Sequence, residues 1–360
     1  MFISQLSNSH KIILPKEVFL AKYFLNKTVC MLKKKSILSY KINQIKKGGL
    51  MGKVDYQSIL NDISNEVKPF LLSGKVADYI PALANVDPNQ FAMSLTMFDG
   101  TQYSTGCSNK LFSIQSISKV FTFTLALTKY GRDLYKRIGH EPSGNPFNSL
   151  VQLEYEHGKP RNPFINAGAI NVTDALVSHY KNEDRAYLEV IEFIRSIAND
   201  DSIDLNKTVA DSEMKHGHRN IALANLMKSF GNFDNEVNDI VEIYFKHCSI
   251  EMNTNMLSRA MLYLANHGVD PITNKEYITT QQAKRINAVM LTCGHYDASG
   301  DFAFNVGLPG KSGVGGGIVA VVPKMMGISV WAPGLNAQGN SLVGTMALEL
   351  FTTKTGLSIF

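Results

Sequence analysis

The chain of 360 residues is 44% hydrophobic and 19% charged, which is ordinary for a globular protein and allows one large or two modest domains. No apolar run reaches the roughly 18 residues that a membrane-spanning helix needs, so we predict no membrane partner. The four cysteines are far apart in the sequence and form neither a C-x-x-C pair nor a zinc-type cluster. We therefore predict reduced thiols, a cytoplasmic location and no metal site.

The formal net charge of +5 is unevenly distributed. Residues 1–50 contain ten lysines and a single acidic residue, Glu17, which gives this segment a net charge of +9. The rest of the chain contains 26 basic and 30 acidic side chains and carries a net charge of −4. Because a nucleic-acid-binding domain presents a basic patch or stripe, this mildly acidic body predicts no nucleic acid partner.

Residues 1–50 are predicted to be a basic extension, disordered or translated from upstream DNA, with the folded domain at 51–360. A targeting signal is disfavoured because Lys16 and Glu17 interrupt the best apolar stretch. The segment "KKGGLM" (46–51) can be encoded by a purine-rich sequence that resembles a bacterial ribosome-binding site, just before Met51. Our hypothesis is that translation starts at Met51. The alternative is a genuine basic tail that contacts an anionic partner.

The first elements after this extension are a helix and a hairpin. Residues 56–67 place apolar side chains at helical spacing. Residues 90–106 alternate between apolar and polar around Asp99-Gly100, a dipeptide that suits a tight turn, and therefore predict a β-hairpin.

The remaining elements follow the apolar segment "FSIQSISKVFTF" (112–123), which continues as a helix that Gly131 ends. From about 144 to 295 the pattern is mostly helical. The predicted helices are 173–198, 219–229, 236–247, 254–266 and 280–292. Two short buried strands, 316–323 and 327–333, precede a final helix, 341–353.

Strands therefore occur near both ends of the chain, with helices between them. If the two groups share one sheet, residues 144–295 form an inserted helical lobe. The expected position of a ligand is then the cleft between the sheet and this lobe.

Ser116 and Lys119 form a Ser-x-x-Lys pair inside the apolar segment. A spacing of three residues places both side chains on one helical face. Burial would lower the pKa of the lysine toward neutrality, so that Lys119 could deprotonate Ser116 and make it a nucleophile. The alternative is a lysine that reaches the surface beside an incidental serine. Two further pairs, Ser178/Lys181 and Ser212/Lys215, lie in polar surroundings and are interpreted as solvated helix faces.

A second motif, Lys311-Ser312-Gly313, precedes the predicted strand at 316–323. Serine acyl-transferases of the penicillin-recognising group combine a Ser-x-x-Lys helix with a Lys-Thr-Gly strand, of which Lys-Ser-Gly is a conservative variant. In that arrangement the backbone amides of Ser116 and Val314 would form an oxyanion hole. The third element of the group, Ser-Asp-Asn, is absent, which argues against a β-lactam enzyme.

With these motifs the chain resembles the serine-dependent glutaminases, over about 56–353. The resemblance implies an α/β fold of the α+β type, like that of serine β-lactamases and penicillin-binding proteins, with an antiparallel sheet from both chain ends. The segments that carry it are "GKVADYIP" (74–81), "FSIQSISKVF" (112–121), "RNPFINAGAI" (161–170), "SEMKHGHRN" (212–220), "YFKHCSIE" (244–251), "CGHYDASGDFAFNVGLPGKSGVGGGI" (293–318) and "GNS" (339–341).

The resemblance also implies the roles of individual residues. Ser116 matches the nucleophile and Lys119 its base, and Tyr296 falls where a family tyrosine approaches the nucleophile. The residues implied to bind substrate are Tyr79, Ser116, Asn166, Glu213, Asn220, Tyr244, Tyr296 and Val314. Without the family, each of these has an ordinary structural interpretation, such as a core aromatic ring or a helix cap.

The implied reaction is hydrolysis of L-glutamine to L-glutamate and ammonia through a serine acyl-enzyme, without metal or cofactor. Glu213 would pair with the α-ammonium group, and Asn166 and Asn220 would donate to the α-carboxylate. The resemblance implies a homo-oligomer, a dimer or a tetramer. The alternatives are a penicillin-type serine hydrolase and a catalytically silent amino-acid-binding domain.

Overall fold

A computed structural model describes residues 54–360. The predictions for residues 1–50, including a translation start at Met51, lie outside the described residues. Within the part that is described, no helix is long and apolar enough to cross a membrane.

The central sheet has five antiparallel strands in the order β2-β1-β8-β7-β6. Strand β1 pairs with β8 in the register Ala92↔Trp331, which joins the two ends of the chain as predicted. A second, three-stranded sheet has the order β3-β5-β4. The strands are β1 (Ala92–Met97), β2 (Gln102–Gly106), β3 (Phe112–Ser113), β4 (Asp204–Leu205), β5 (Ile250–Met252), β6 (Gly310–Ser312), β7 (Gly317–Val322) and β8 (Met326–Trp331).

Most of the described chain that lies outside these sheets is helical. The α-helices are α1 (Tyr56–Val67), α2 (Pro81–Ala84), α3 (Ser118–Tyr130), α4 (Leu134–Arg137), α5 (Leu150–Tyr155), α6 (Asn166–Tyr180), α7 (Glu183–Ala198), α8 (Lys207–His216), α9 (His218–Ser229), α10 (Val237–Cys248), α11 (Thr254–Ala260), α12 (Leu262–Ala265), α13 (Thr280–Cys293), α14 (Ser299–Asn305) and α15 (Leu342–Thr355). Short 3-10 turns cover Lys68–Ser73, Gln115–Ile117, Gly131–Asp133 and Tyr296–Ala298.

Two predicted helices are each divided in the structure. The single helix expected over 173–198 is α6 followed by α7, because Lys181 adopts a left-handed conformation at φ 53° and the Asn182 side chain caps the next helix. The helix expected over 254–266 is interrupted at Met261 between α11 and α12. Apolar periodicity continues across such short breaks, and it therefore predicted one helix where there are two.

Strands β1, β7 and β8 of the central sheet are buried on both faces, whereas the edge strand β2 is partly exposed. Ile318 and Ala320 of β7 belong to a core shared with α1 and α15, whereas Val319 and Val321 face the core of the helical region. This division follows from the alternation of side chains along a strand. Strand β7, whose sequence is GIVAVV, reads as a continuous apolar run because both of its faces are covered.

Helix α3 runs through the larger core. The ten residues from Ser118 to Leu127 are buried, including Phe121 and Phe123, and Gly131 ends the helix at φ 54°. Surrounding apolar groups hold this helix on all sides. The 3-10 turn at its start lies against the backbone near β6, as described below.

Candidate active site

A cavity with a volume of about 330 Å³, which suits a small metabolite, lies in the described part of the chain. Seven of the nine predicted site residues line it, and Lys119 and Tyr296 contact that lining from behind. The fold thus brings together residues that are as far apart in the sequence as Tyr79 and Val314. The lining residues are Tyr79, Ile80, Gln115, Ser116, Phe147, Asn148, Asn166, Glu213, His216, Gly217, Arg219, Asn220, Tyr244, Cys248 and Val314.

Ser116 lies in the 3-10 turn that connects β3 with α3. The preceding residue, Gln115, has a φ of 48°, a conformation that non-glycine residues rarely adopt. The buried Ser118 hydroxyl donates to the Gln115 carbonyl at 2.8 Å and supports this turn. The turn directs Ser116 toward the cavity, and strained backbone of this kind often occurs at functional sites.

The backbone amides of Ser116 and Val314 have no acceptor within residues 54–360. Val314 follows β6, and the glycine before it allows this segment to approach the Ser116 turn. A Cβ atom at Gly313 would lie 2.6 Å from the Ile114 carbonyl oxygen and 3.3 Å from the Ser116 amide nitrogen. Both amides are therefore free to donate to the same oxygen atom in the cavity.

The Lys119 ammonium is buried, with 1% of the residue exposed. Within the described chain, its two hydrogen bonds run to Asn166 Oδ1 at 2.6 Å and to the Phe164 carbonyl at 3.2 Å. It also lies 5.8 Å from the ring centre of Tyr244. Burial lowers the pKa of Lys119 to about 8, against opposing contributions from Cys248 and Glu213. A substantial neutral fraction can therefore act as a base near neutral pH.

Tyr296 lies beside the nucleophile candidate. Its hydroxyl donates to the Ser312 carbonyl at 3.3 Å and is close enough to the Ser116 side chain for that group to influence its pKa. Burial raises the pKa of Tyr296, and the Ser116 side chain opposes this rise. The ring packs against Phe147, with centroids 4.6 Å apart. Tyr296 is therefore placed to exchange a proton at Ser116.

Asn166 is the first residue of α6 and connects the lysine to the cavity. Its Nδ2 donates to Asn220 Oδ1 at 2.9 Å, while its Oδ1 accepts from Lys119. Asn220 belongs to the first turn of α9. Both amides line the cavity and can donate hydrogen bonds to a ligand oxygen.

Glu213 of α8 is the one carboxylate that lines the cavity among the described residues. Only 5% of the residue is exposed, and burial raises the pKa of Glu213 to about 7. A hydrogen bond from Gln115 and the charge of Lys119 oppose this rise. An entering ammonium group would favour the ionised carboxylate, because an opposite charge stabilises it.

Two tyrosines complete the lining. Tyr244 is buried, and burial raises its pKa well above the usual value. Tyr79 is 55% exposed as a residue, but its hydroxyl is buried. This burial raises the pKa of Tyr79, and the nearby Glu213, Tyr296 and Cys248 raise it further. The ring of Tyr79 therefore faces solvent at the mouth of the cavity while its hydroxyl faces inward.

Sequence reasoning gave no role to several residues that the structure places at the site. Gln115 and Cys248 line the cavity, and Cys248 has a pKa raised to about 12 by burial. Lys311 was selected as part of a motif and given no role, but its side chain is fully buried beside Tyr296. The only sequence feature that could have indicated Gln115 is its position directly before Ser116. Cys248 lies in the segment "YFKHCSIE" (244–251), which carries the family resemblance, but the sequence gave this cysteine no role.

The fold and the site together define a class. An antiparallel sheet built from both chain ends, a serine at the start of a buried helix and a Lys-Ser-Gly strand beside it are features of the serine β-lactamase-like fold.

Within that class, the chain belongs to the glutaminase family, and it is an amidohydrolase. The family model described as Glutaminase matches residues 74–360. The chain is 62% identical to a glutaminase of Aliarcobacter butzleri over 307 residues, which are 85% of this chain and 100% of that protein. It is 55% identical to a glutaminase of Agrobacterium fabrum over 306 residues, which are 85% and 99% of the two proteins.

Solved structures of probable glutaminases have a fold similar to that of this chain. The probable glutaminase ybaS has a TM-score of 0.80 at 37% identity and covers 84% of this chain and 97% of its own. The probable glutaminase of Bacillus subtilis has a TM-score of 0.79 at 34% identity, covering 85% and 98%. The predicted fold class and family are confirmed. Neither a penicillin-type hydrolase nor a silent binding domain finds support in these comparisons.

Proposed function

We propose that the chain hydrolyses L-glutamine to L-glutamate and ammonia through an acyl-enzyme on Ser116. The observation that carries this proposal is the convergence on one cavity of the Ser116 side chain and two unpaired backbone amides, with the buried Lys119 amine behind them. These are the parts that serine amide hydrolysis needs: a nucleophile, an oxyanion hole and a base.

In the first step, Ser116 Oγ attacks the side-chain amide carbon while the neutral Lys119 amine takes its proton. The carbonyl oxygen becomes an oxyanion, which the Ser116 and Val314 amides stabilise. Removing one such donor raises the barrier by roughly 2.7–4 kcal/mol in other enzymes. The positive charge formed on Lys119 is held by Asn166 Oδ1 and the Phe164 carbonyl.

In the second step, the carbon–nitrogen bond breaks and the leaving nitrogen takes a proton. The donor is Lys119 directly, or the Tyr296 hydroxyl, which then regains a proton from Lys119. Water attacks the resulting ester and gives a proton to the Lys119 amine. The ester bond breaks, glutamate leaves, and Ser116 recovers its proton, so every atom and charge is restored.

The remaining residues of the cavity suit the amino-acid end of glutamine. Glu213 supplies the negative charge that an α-ammonium group requires in a buried site. Asn166 and Asn220 supply donors for the α-carboxylate. Tyr79 and Tyr244 enclose the substrate with their hydroxyl groups directed toward the same region.

We further propose a cytoplasmic homo-oligomer, a dimer or a tetramer, with residues 51–360 as the catalytic domain. Support for the domain limits comes from the family match over 74–360 and the described fold from residue 54. The described cysteines Cys107, Cys248 and Cys293 are unpaired, which suits a reducing compartment.

Ammonia release tests the proposal, with glutamine, asparagine and nitrocefin offered to the same preparation. We expect turnover of glutamine, little turnover of asparagine and none of nitrocefin. Hydroxylamine should intercept the acyl-enzyme and give the γ-hydroxamate of glutamate. Absence of glutamine-dependent ammonia would overturn the proposed activity. Ammonia release without hydroxamate in the presence of hydroxylamine would count against the acyl-enzyme.

A further inference from the structure

Lys311 is a second fully buried lysine at the site, with 0% of the residue exposed. It lies on β6, and its ammonium donates a short hydrogen bond to the carbonyl of the adjacent residue, Ser312. Lysine is rarely buried without a partner, because removing an ammonium group from water is costly. A core position of this kind would be filled at lower cost by an apolar residue.

The same Ser312 carbonyl accepts a hydrogen bond from the Tyr296 hydroxyl, at 3.3 Å. Lys311 and Tyr296 therefore share one acceptor. The Lys311 Nζ atom also lies 4.5 Å from the centre of the Tyr296 ring, so the side chain packs against that ring. Lys311 is thus linked to this one tyrosine by a direct contact with its ring and by the shared Ser312 acceptor.

The Tyr296 hydroxyl in turn lies close enough to the Ser116 side chain for that group to influence its pKa. The Tyr296 backbone adopts a φ of 57°, which is unusual for a residue other than glycine. The orientation of its hydroxyl depends on contacts of the ring and of the hydroxyl group. Lys311 contacts the ring and also holds the Ser312 carbonyl that accepts from the hydroxyl. Lys311 does not line the cavity, so it has no direct contact with a substrate there.

The electrostatic surroundings agree with this geometry. Lys311 is buried beside a second buried cation, Lys119, and both effects lower the pKa of Lys311 well below its usual value. A neutral amine still donates hydrogen bonds to the Ser312 carbonyl.

We propose that Lys311 is a positioning residue that acts through Tyr296, holding the tyrosine hydroxyl on the Ser116 nucleophile during proton transfer. The proposal rests on the proposed function, in which Tyr296 exchanges a proton with the leaving group. A lysine that only filled the core would affect stability without a specific dependence on Tyr296.

A double-mutant cycle tests the proposal on the full chain. The variants are Lys311→Met, Tyr296→Phe and the combination of both. Methionine matches the length of lysine but cannot donate a hydrogen bond. We expect Lys311→Met and Tyr296→Phe each to lower kcat at least about tenfold, with KM within about threefold of the parent. The double variant should fall within about threefold of Tyr296→Phe alone, because the lysine acts through the lost hydroxyl.

Tyr263→Phe is the matched control. Tyr263 is equally buried, and its hydroxyl bonds Thr124 Oγ1 at 3.0 Å rather than any group near Lys311. Combined with Lys311→Met, this change should multiply the separate effects on kcat. Thermal unfolding of every variant reports the contribution of each side chain to stability. If Lys311→Met does not fold, Lys311→Leu, which also cannot donate a hydrogen bond, takes its place in the same cycle.

The outcomes distinguish the two proposals. Suppose that Tyr296→Phe lowers kcat. The role of Lys311 is overturned, while the proposed reaction stands, if Lys311→Met leaves kcat within threefold of the parent. It is also overturned if the two losses multiply in the double variant. If Tyr296→Phe itself leaves kcat unchanged, the role of Tyr296 in the proposed function is wrong and the inference about Lys311 fails with it.

Discussion

The Lys119 ammonium donates a 2.6 Å hydrogen bond to Oδ1 of Asn166, and the amide of the same asparagine donates to Asn220. One side chain therefore contacts both the proposed base and the proposed carboxylate-binding group. The charge state of Lys119 should depend on what occupies position 166.

Asn166→Asp should move the pH dependence of the reaction upward. A carboxylate beside Lys119 stabilises its protonated form and raises its pKa, by about 1–3 units for a close pair. The neutral amine that accepts the Ser116 proton is then populated only at higher pH. We expect kcat near pH 7 to fall at least tenfold and its basic limb to shift to higher pH.

The measurement is kcat against pH for the parent and the variant. Asn225→Asp, the same charge change on the exposed side of α9, is the control and should leave the profile unchanged. A profile of Asn166→Asp with reduced amplitude but no shift would contradict the link between Asn166 and the base.

Ser116→Ala should abolish turnover and leave glutamine binding largely intact. The substitution removes the oxygen that forms the ester but keeps the backbone amide at the oxyanion hole. We expect kcat to fall by about a thousandfold or more. Steady-state ammonia release and calorimetric binding are measured on one preparation.

Ser178→Ala, in the Ser-x-x-Lys pair at the end of α6, is the matched control and should retain full activity. Activity of Ser116→Ala within tenfold of the parent would mean that Ser116 is not the nucleophile.

Lys119→Arg should be nearly as damaging as Lys119→Ala. Arginine keeps the positive charge but does not lose its proton near neutral pH. For the parent, kcat should rise as the pH increases through about 8, because the amine becomes neutral above its pKa. Lys181→Arg serves as the control, and comparable rates for Lys119→Arg and the parent would refute the role of base.

Glu213→Gln should remove the requirement for a free α-amino group. We expect kcat/KM for glutamine to fall at least tenfold, or about 1.4 kcal/mol, because the α-ammonium loses its counter-charge. N-acetylglutamine, which has no ammonium group, should be a poor substrate of the parent, and the substitution should penalise it far less. For the parent, kcat/KM for glutamine should decrease as the pH falls below about 7, where the carboxyl group of the empty site becomes protonated.

The measurement is kcat/KM of the parent and of Glu213→Gln, each with glutamine and with N-acetylglutamine. Equal factors of loss for glutamine and N-acetylglutamine would show that Glu213 does not contact the ammonium group and has a structural role instead.

The local sequence pattern was sufficient to predict much of the secondary structure. The hairpin around Gly100, which has a φ of 85°, depends on a turn dipeptide and on alternation, both of which are short-range properties. The helix over 56–67 has the limits that its apolar spacing predicted. Motif spacing and family resemblance also indicated the Ser116 and Lys119 pair, and the amides of Ser116 and Val314.

Local pattern could not show which contacts the buried groups make. Lys119 and Lys311 each stand next to a serine in the sequence, yet Lys119 bonds Asn166 and Lys311 shares an acceptor with Tyr296. These partners are distant in the sequence, and periodicity carries no information about them.

The sequence by itself determined the alternation, the turns, the helical spacing and the motifs that identify the family, because each depends on neighbouring residues. Only the tertiary structure decided that Glu213, Asn220, Tyr244 and Cys248 line one cavity with Ser116. It also decided the shifts in pKa. Desolvation is the largest cause of the altered pKa of Lys119 and Glu213, and desolvation depends on how the whole chain packs around a group rather than on its neighbours in the sequence.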